Sequence, residues 1–348
     1  MDLKHKFCKE PWNFLSVGHN YSTPCCYINT NIGKVTTDNI FDVWNSKEAK
    51  EVRRSILDGD FKHCKHNICP YIQDGTLPNR DSHDPNIRTI IDNYILECST
   101  LPRYIHLCND QSCNLHCTSC RKEKITEFLN ADEYKQNAEF QVKLLELIKN
   151  KPAEEVLINI TGSGDPFASR LYREFLFNID GEQYPNLRIG LQTNGVLMTP
   201  KYWNRIERIH KNINHIIISF DAATKKVYDQ VRLGGNWELL NENIKHLREQ
   251  KRLHGYDFCI VMSFILQQKN YRELPQFVEL ANEYGFTPSI FLIYPWYDSP
   301  FFTEAMVYNE NHPEYLDFLE VLRNPIFDKY PIKWGNVARY RNLAITKI

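Results

Sequence analysis

The chain has 348 residues, 42% of them hydrophobic, with 42 basic and 43 acidic side chains, a formal net charge of -1, and 11 cysteines. This is a globular composition with length for about two domains, and it excludes a disordered, collagenous or coiled-coil protein. The near-zero charge gives no overall footprint for a polyanion, so nucleic acid is not an expected partner.

In chain order, residues 1–9 carry Lys4, His5 and Lys6, and Cys8 and Pro11 follow before an apolar signal-peptide core can form. The chain is therefore expected in the cytoplasm, where thiols stay reduced. Residues 1–75 are rich in Asn, Pro, Cys and His, with short apolar pieces at 14–17 and 40–44 and one good helical stretch at 46–57. So small a unit buries little core, and a metal centre is its natural staple. Residues 76–99 read as a linker, opening with Pro78, Asp81, Asp84 and Pro85.

Over residues 100–300, apolar strands at 103–107, 156–160, 187–192, 215–220, 258–264 and 289–293 alternate with helical stretches at 131–149, 169–177, 201–210, 237–251 and 271–283. Such alternation builds a parallel sheet, and six strands leave either a partial barrel or an open doubly wound sheet. The longest strongly apolar run, 258–266, is far shorter than the roughly 20 residues of a membrane-spanning helix, so no membrane partner is expected. Residues 301–348 form a C-terminal extension.

Eight cysteines stand in or near groups within the first 120 residues: Cys8, Cys25, Cys26, Cys64, Cys69, Cys113, Cys117 and Cys120. Cys113-x3-Cys117-x2-Cys120 follows the first strand of the alternating region, at the carboxyl end where parallel sheets place their chemistry. Three thiolates can hold three irons of a 4Fe-4S cubane and leave the fourth iron open, the mark of a catalytic site. The other reading is a zinc or structural iron–sulfur loop with His116 as a ligand; otherwise His116 is a bystander. Arg121, Lys122 and Lys124 follow, either to lower thiolate pKa values or as a solvated basic turn.

On this cysteine spacing the chain resembles the radical S-adenosylmethionine (radical SAM) superfamily. The resemblance implies an α/β fold, a partial (β/α)6 barrel of radical SAM type, here preceded by a small Cys-rich auxiliary-cluster domain. It also implies a 4Fe-4S cluster whose open iron binds S-adenosyl-L-methionine (SAM), cleavage of SAM to a 5'-deoxyadenosyl radical, and abstraction of a substrate hydrogen atom. Ser119 departs from the family, which usually has an aromatic residue there against the adenine. Thr161-Gly162-Ser163-Gly164-Asp165-Pro166 resembles the glycine-rich segment that binds the methionyl amino group, where Glu is more usual than Asp165. Glycines at Gly162 and Gly164 let the backbone approach a ligand, and Asp165 suits an ammonium group. Gln192-Thr193-Asn194-Gly195, Ser219-Phe220-Asp221 and Arg232 with Gly234 and Gly235 resemble segments that reach the ribose and carboxylate of SAM, which marks Ser219 and Arg232 as cofactor contacts. Read alone, Asn194-Gly195 is equally an ordinary turn and Arg232 a solvated side chain.

Cys8-x2-Pro11-Trp12, the Cys25-Cys26 pair, residues 39–45 and Cys64-x4-Cys69-Pro70 resemble a SPASM or twitch module, which holds an auxiliary 4Fe-4S cluster and in most relatives follows the barrel. The ligands so implied are Cys8, Cys26, Cys64 and Cys69, with Cys25 the alternative to Cys26. By donor chemistry alone, four thiolates suit zinc as well as a cubane. His63 and His66 are expected to be exposed rather than coordinating, and Cys98 and Cys259 to be buried thiols. Cys108, ending the first strand, is a candidate ligand or hydrogen donor, and Asp221 a candidate acid/base or helix cap. Residues 294–298, Tyr294-Pro295-Trp296-Tyr297-Asp298, either offer aromatic faces to a substrate or cover the core.

The expected function is that of a radical SAM oxidoreductase or maturase that oxidises, epimerises or cross-links a peptide or a sugar-like small molecule. The same resemblance implies a flavodoxin- or ferredoxin-type electron donor. The competing expectation is a zinc-binding interaction protein on an α/β scaffold, colourless and without SAM turnover, against a brown, oxygen-sensitive enzyme with about eight irons.

Overall fold

The computed structural model describes residues 2–28, 30–295 and 297–346. Its strands are β1 (Phe14–Gly18), β2 (Ser22–Thr23), β3 (Tyr104–Cys108), β4 (Val156–Ile160), β5 (Leu187–Thr193), β6 (Ile213–Ser219), β7 (Cys259–Leu266) and β8 (Thr287–Leu292). They form one sheet in the order β2-β1-β3-β4-β5-β6-β7-β8, parallel throughout except that β2 runs antiparallel to β1. The two edges do not pair with each other, so the barrel is partial. The six expected strands are β3 to β8. The apolar piece at 14–17 adds a further parallel strand, with Phe14 to Gly18 in register against Tyr104 to Cys108.

Alternation along each strand sorts the side chains. Ile105, Leu107, Ile158, Ile160, Ile189, Leu191, Ile216 and Ile218 are fully buried against the helices. The alternate positions, among them His106, Cys108, Asn159, Gln192 and Ser219, face the concave side. Helix Ala131–Lys149 begins with a capping box between Asn130 and Glu133, and Trp237–His254 and Leu274–Tyr284 end at Gly255 and Gly285 in left-handed backbone, φ 62 and 70. Helix Lys225–Val231, which the hydrophobic pattern did not announce, lies between β6 and Trp237 and is capped by Thr224.

The N-terminal region has its own small core of Leu3, Phe7, Trp12, Ile56, Leu57, Phe61, Ile72 and Ile87. Ile87 belongs to helix Pro85–Asp92, so the stretch read as a linker includes a packed helix. The C-terminal extension covers the exposed edge of β8: Ile290 N–H donates to the Lys333 carbonyl at 2.8 Å and Lys333 N–H to the Pro288 carbonyl at 2.9 Å. Further on, Arg339 Nη1 donates to Gln73 Oε1 at 2.6 Å, close after Cys69. The Cys-rich region thus docks beside the barrel, although it precedes it in sequence. Among the described residues no helix is long and apolar enough to cross a membrane.

Candidate metal centres and cofactor site

Cys113 and Cys117 are buried, Cys120 is exposed, and all three are free thiols. Cys120 N–H and Arg121 N–H both donate to the Cys117 carbonyl, at 2.9 and 3.0 Å, which closes a tight turn between the second and third cysteines. The sulfurs also accept hydrogen bonds: Leu115 N–H and Asn194 Nδ2 reach Cys113 Sγ at 3.4 and 3.8 Å, and Arg121 Nη2 reaches Cys120 Sγ at 3.6 Å. Burial pushes the Cys113 thiol up to about 11 and raises Cys117. Loading this loop with metal therefore releases protons. Among the described residues no three His, Cys, Asp or Glu side chains converge on a point that one ion can occupy. Three thiols on one loop are a donor set that suits three irons of a cubane. The backbone N–H of His116 donates to the Leu233 carbonyl at 3.0 Å, and its buried ring Nδ1 has no partner. A side chain on Gly234 would come within 3.1 Å of that ring, so glycine there lets the loop at 232–235 lie on the cysteine loop.

The glycine-rich loop packs against the same residues. A Cβ on Gly164 would sit 2.7 Å from the Ser112 carbonyl and 2.8 Å from that of Asp110, and Asp165 N–H donates to Ser112 O at 2.9 Å. Asp165 itself does not face outward to an ammonium group as its sequence context suggested. It is fully buried: Oδ1 accepts from Phe167 and Ala168 N–H, at 2.9 and 3.2 Å, and Oδ2 from Thr193 Oγ1 and Asn194 N–H, both at 2.8 Å. Burial raises its pKa against these four donors, and its work is to tie the loop after β4 to the loop after β5.

Asp221 is likewise no free acid/base. Its side chain is 1% exposed, with Oδ1 accepting from Ile265 N–H at 2.7 Å and Oδ2 from Arg232 Nη1 at 3.1 Å. Burial raises the pKa of Asp221, and Arg232 opposes that shift. Burial also works against the charge on Arg232, but Cys117 and Asp221 outweigh it and hold the guanidinium above its usual range. Arg232 Nε is buried without a partner, beside Cys117 and Cys113. Ser219 ends β6 in register with Ser263 inside β7, which is in register with Ser289 inside β8, so three serines stand abreast on adjacent strands; of these only Ser219 carried a sequence signal.

In the N-terminal region Cys8, Cys25, Cys64 and Cys69 line one cavity, together with Glu10 and Tyr27. Cys25, not Cys26, completes the quartet. Cys25 Sγ accepts from Tyr27 N–H at 3.3 Å, and the turn directs the adjacent Cys26 away from this cavity, where it is exposed. Burial pushes Cys8 and Cys64 up to about 12, so here too metal replaces protons. His63 hydrogen-bonds Thr30 at 2.9 Å and His66 the Phe61 carbonyl at 3.1 Å, which places neither in the quartet.

Cys259 is exposed rather than buried, because it opens β7 at the amino end of the sheet, and Cys98 is half-buried. The buried Cys108 thiol lies in the seam between β3 and β1, donating to the Val17 carbonyl at 3.4 Å and 3.3 Å from Ser16 Oγ. Of the aromatic stretch at 294–298, Trp296 lies outside the described residues, and Tyr297 reaches the cysteine loop through a 2.7 Å bond from its hydroxyl to the Thr118 carbonyl. That Asn194 and Tyr297 touch the cysteine loop itself was not announced by the sequence, which marked their segments only as a cofactor-reaching turn and an aromatic stretch.

Residues 111–281 match the sequence model of the Radical SAM superfamily, and residues 8–70 match that of SPASM, an iron-sulfur cluster-binding domain. Among curated proteins, the mycofactocin maturase MftC of Mycobacterium tuberculosis is 24% identical over 186 residues, which are 53% of this chain and 43% of the maturase. The match thus spans less than half the length of that relative. Among solved structures, methylornithine synthase (PylB) superposes with a TM-score of 0.41 and 14% identity over 69% of this chain and 68% of its own. The radical SAM methyltransferase TsrM from Kitasatospora setae gives 0.38 and 9% over 53% and 35%.

Proposed function

The chain belongs to the radical SAM superfamily with a SPASM-type iron-sulfur domain on its N-terminal side, and from that premise we propose that it is a peptide maturase. The proposed reaction is radical-initiated oxidation, epimerisation or cross-linking, fed by a flavodoxin- or ferredoxin-type electron donor. The two domains imply a 4Fe-4S cluster, SAM and an auxiliary 4Fe-4S cluster. When bound, the cluster on Cys113, Cys117 and Cys120 supplies the electron that cleaves SAM to a 5'-deoxyadenosyl radical able to take a hydrogen atom from substrate. The observation that carries this reading is the buried Arg232, with an unpartnered Nε, beside the free thiols of Cys113 and Cys117 in the loop after β3.

In this reading Arg232, oriented by Asp221, binds the carboxylate of SAM as a charge-assisted donor. Gly162 and Gly164 bring backbone groups up to the ligand, Asp165 fixes their loop, and Ser219 with Ser263 and Ser289 supplies hydroxyls at the floor. Cys8, Cys25, Cys64 and Cys69 hold the auxiliary cluster. Cys108 stays protonated at neutral pH because burial raises its pKa, so it is kept as a thiol on the concave side. The likeness to a maturase supports a peptide substrate. Incubation with candidate peptides deuterated at single positions tests this: deuterium transferred into 5'-deoxyadenosine identifies a substrate, and transfer only from a sugar or other small molecule rejects the peptide reading.

A further inference from the structure

Arg121 follows the third cysteine directly, and one half-buried guanidinium holds three partners. Its Nη1 donates to the Gln111 carbonyl at 2.7 Å, and its Nη2 donates to the Ser163 carbonyl at 2.5 Å and to Cys120 Sγ at 3.6 Å. Gln111 leads into the cysteine loop, and Ser163 stands between Gly162 and Gly164. A single planar fork therefore spans the cysteine loop and the glycine-rich loop, a geometry that a lysine ammonium cannot reproduce. No carboxylate stands within ion-pair distance of Arg121 among the described residues. Its charge is left facing carbonyl dipoles and the sulfur.

A cluster on these thiolates gains one negative charge when reduced. A cation that also donates to a ligand sulfur stabilises the reduced form more than the oxidised form, and so raises the reduction potential. We propose that Arg121 is a positioning residue that raises the reduction potential of the cluster on Cys113, Cys117 and Cys120 and locks the glycine-rich loop onto it. This rests on the SAM reading above.

The test uses the full chain, reconstituted anaerobically with iron and sulfide, as wild type, Arg121→Met and Arg121→Lys. A variant with Cys113→Ala, Cys117→Ala and Cys120→Ala supplies the auxiliary signal for subtraction. Each is titrated with reductant under electron paramagnetic resonance without SAM, and SAM binding is measured separately. Arg121→Met is expected to have a more negative midpoint and to bind SAM about tenfold more weakly. Arg121→Lys keeps the charge, so its midpoint stays close to wild type while SAM binding weakens through loss of the Ser163 contact. An unshifted midpoint in Arg121→Met overturns the proposal, whatever happens to SAM affinity; should that variant not fold, a wild-type SAM affinity in Arg121→Lys overturns it equally. If the triple cysteine variant retains as much iron as wild type, the cluster is not on this loop, and the underlying reading is what has failed.

Discussion

The Tyr297 hydroxyl donates to the Thr118 carbonyl over 2.7 Å, joining the loop after β8 to the middle of the cysteine loop after β3. The Tyr297 ring meets Phe302 edge-on at 5.0 Å between centroids, and Lys122 Nζ lies 5.5 Å from it. First and last loops of the six-strand unit are thereby clasped on the side where Cys120 is exposed. Tyr297→Phe removes one neutral hydrogen bond and is expected to cost about 1 kcal/mol. Tyr297→Ala also removes the ring and releases the cysteine loop beside the already exposed Cys120, so the visible absorbance of the reconstituted protein should bleach faster in air. Bleaching at the wild-type rate would show that the clasp does not shield the cluster.

The two adjacent N-terminal cysteines separate by iron content. With the three barrel cysteines replaced by Ala, Cys25→Ser is expected to lose the remaining iron, about four atoms per chain, whereas Cys26→Ser keeps it. The opposite pattern would return Cys26 to the quartet.

Arg53 is fully buried in the N-terminal unit. Its Nε donates to Pro11 O at 2.9 Å, Nη1 to Leu96 O at 2.9 Å and Asn45 Oδ1 at 3.2 Å, and Nη2 to Trp44 O at 2.8 Å, with Trp44 stacked 4.4 Å away. Arg53→Met leaves three carbonyls without this donor and should lower stability by about 3–5 kcal/mol in denaturant unfolding. A loss below about 1 kcal/mol would mean that water replaces the guanidinium without penalty.

Burial pushes His106 and His210 down to about 4. His210 is held neutral, with Nε2–H donating to the Trp203 carbonyl and Nδ1 bonded to the Tyr256 hydroxyl. Because the folded values lie below the unfolded value of about 6.5, the unfolded chain binds more protons between pH 6.5 and 4. Stability is therefore complete above that window and falls as pH drops through it, by at most about 3 kcal/mol per histidine. Thermal midpoints of wild type and His210→Gln, recorded anaerobically across this range, should converge as pH falls. A constant difference would rule out His210 as a contributor.

The six barrel strands were legible because runs such as Val156–Ile160 and Ile213–Ser219 are dense in β-branched residues and bounded by turns. β1 was not, since a five-residue piece with Ser16 and Gly18 becomes a strand only by pairing with residues some ninety positions on. The cysteine spacing announced the site, but a sequence does not show that Thr193, 28 residues later, donates to Asp165 and closes its carboxylate to any ligand. Nor does it separate Cys25 from Cys26, which differ only in the direction that one turn gives them. Helix Pro85–Asp92 was hidden by the Pro and Asp residues that read as loop and in fact cap it, with Asp84 accepting from Asn86 N–H at 2.9 Å.

Reductive cleavage of SAM is the most direct test of the account. Anaerobically reconstituted wild type, given dithionite and SAM, should release 5'-deoxyadenosine, and Cys113→Ala, Cys117→Ala and Cys120→Ala should each abolish that release while keeping the auxiliary iron. A fully iron-loaded, reduced wild type that forms no 5'-deoxyadenosine, or a Cys117→Ala chain that forms as much as wild type, would contradict it.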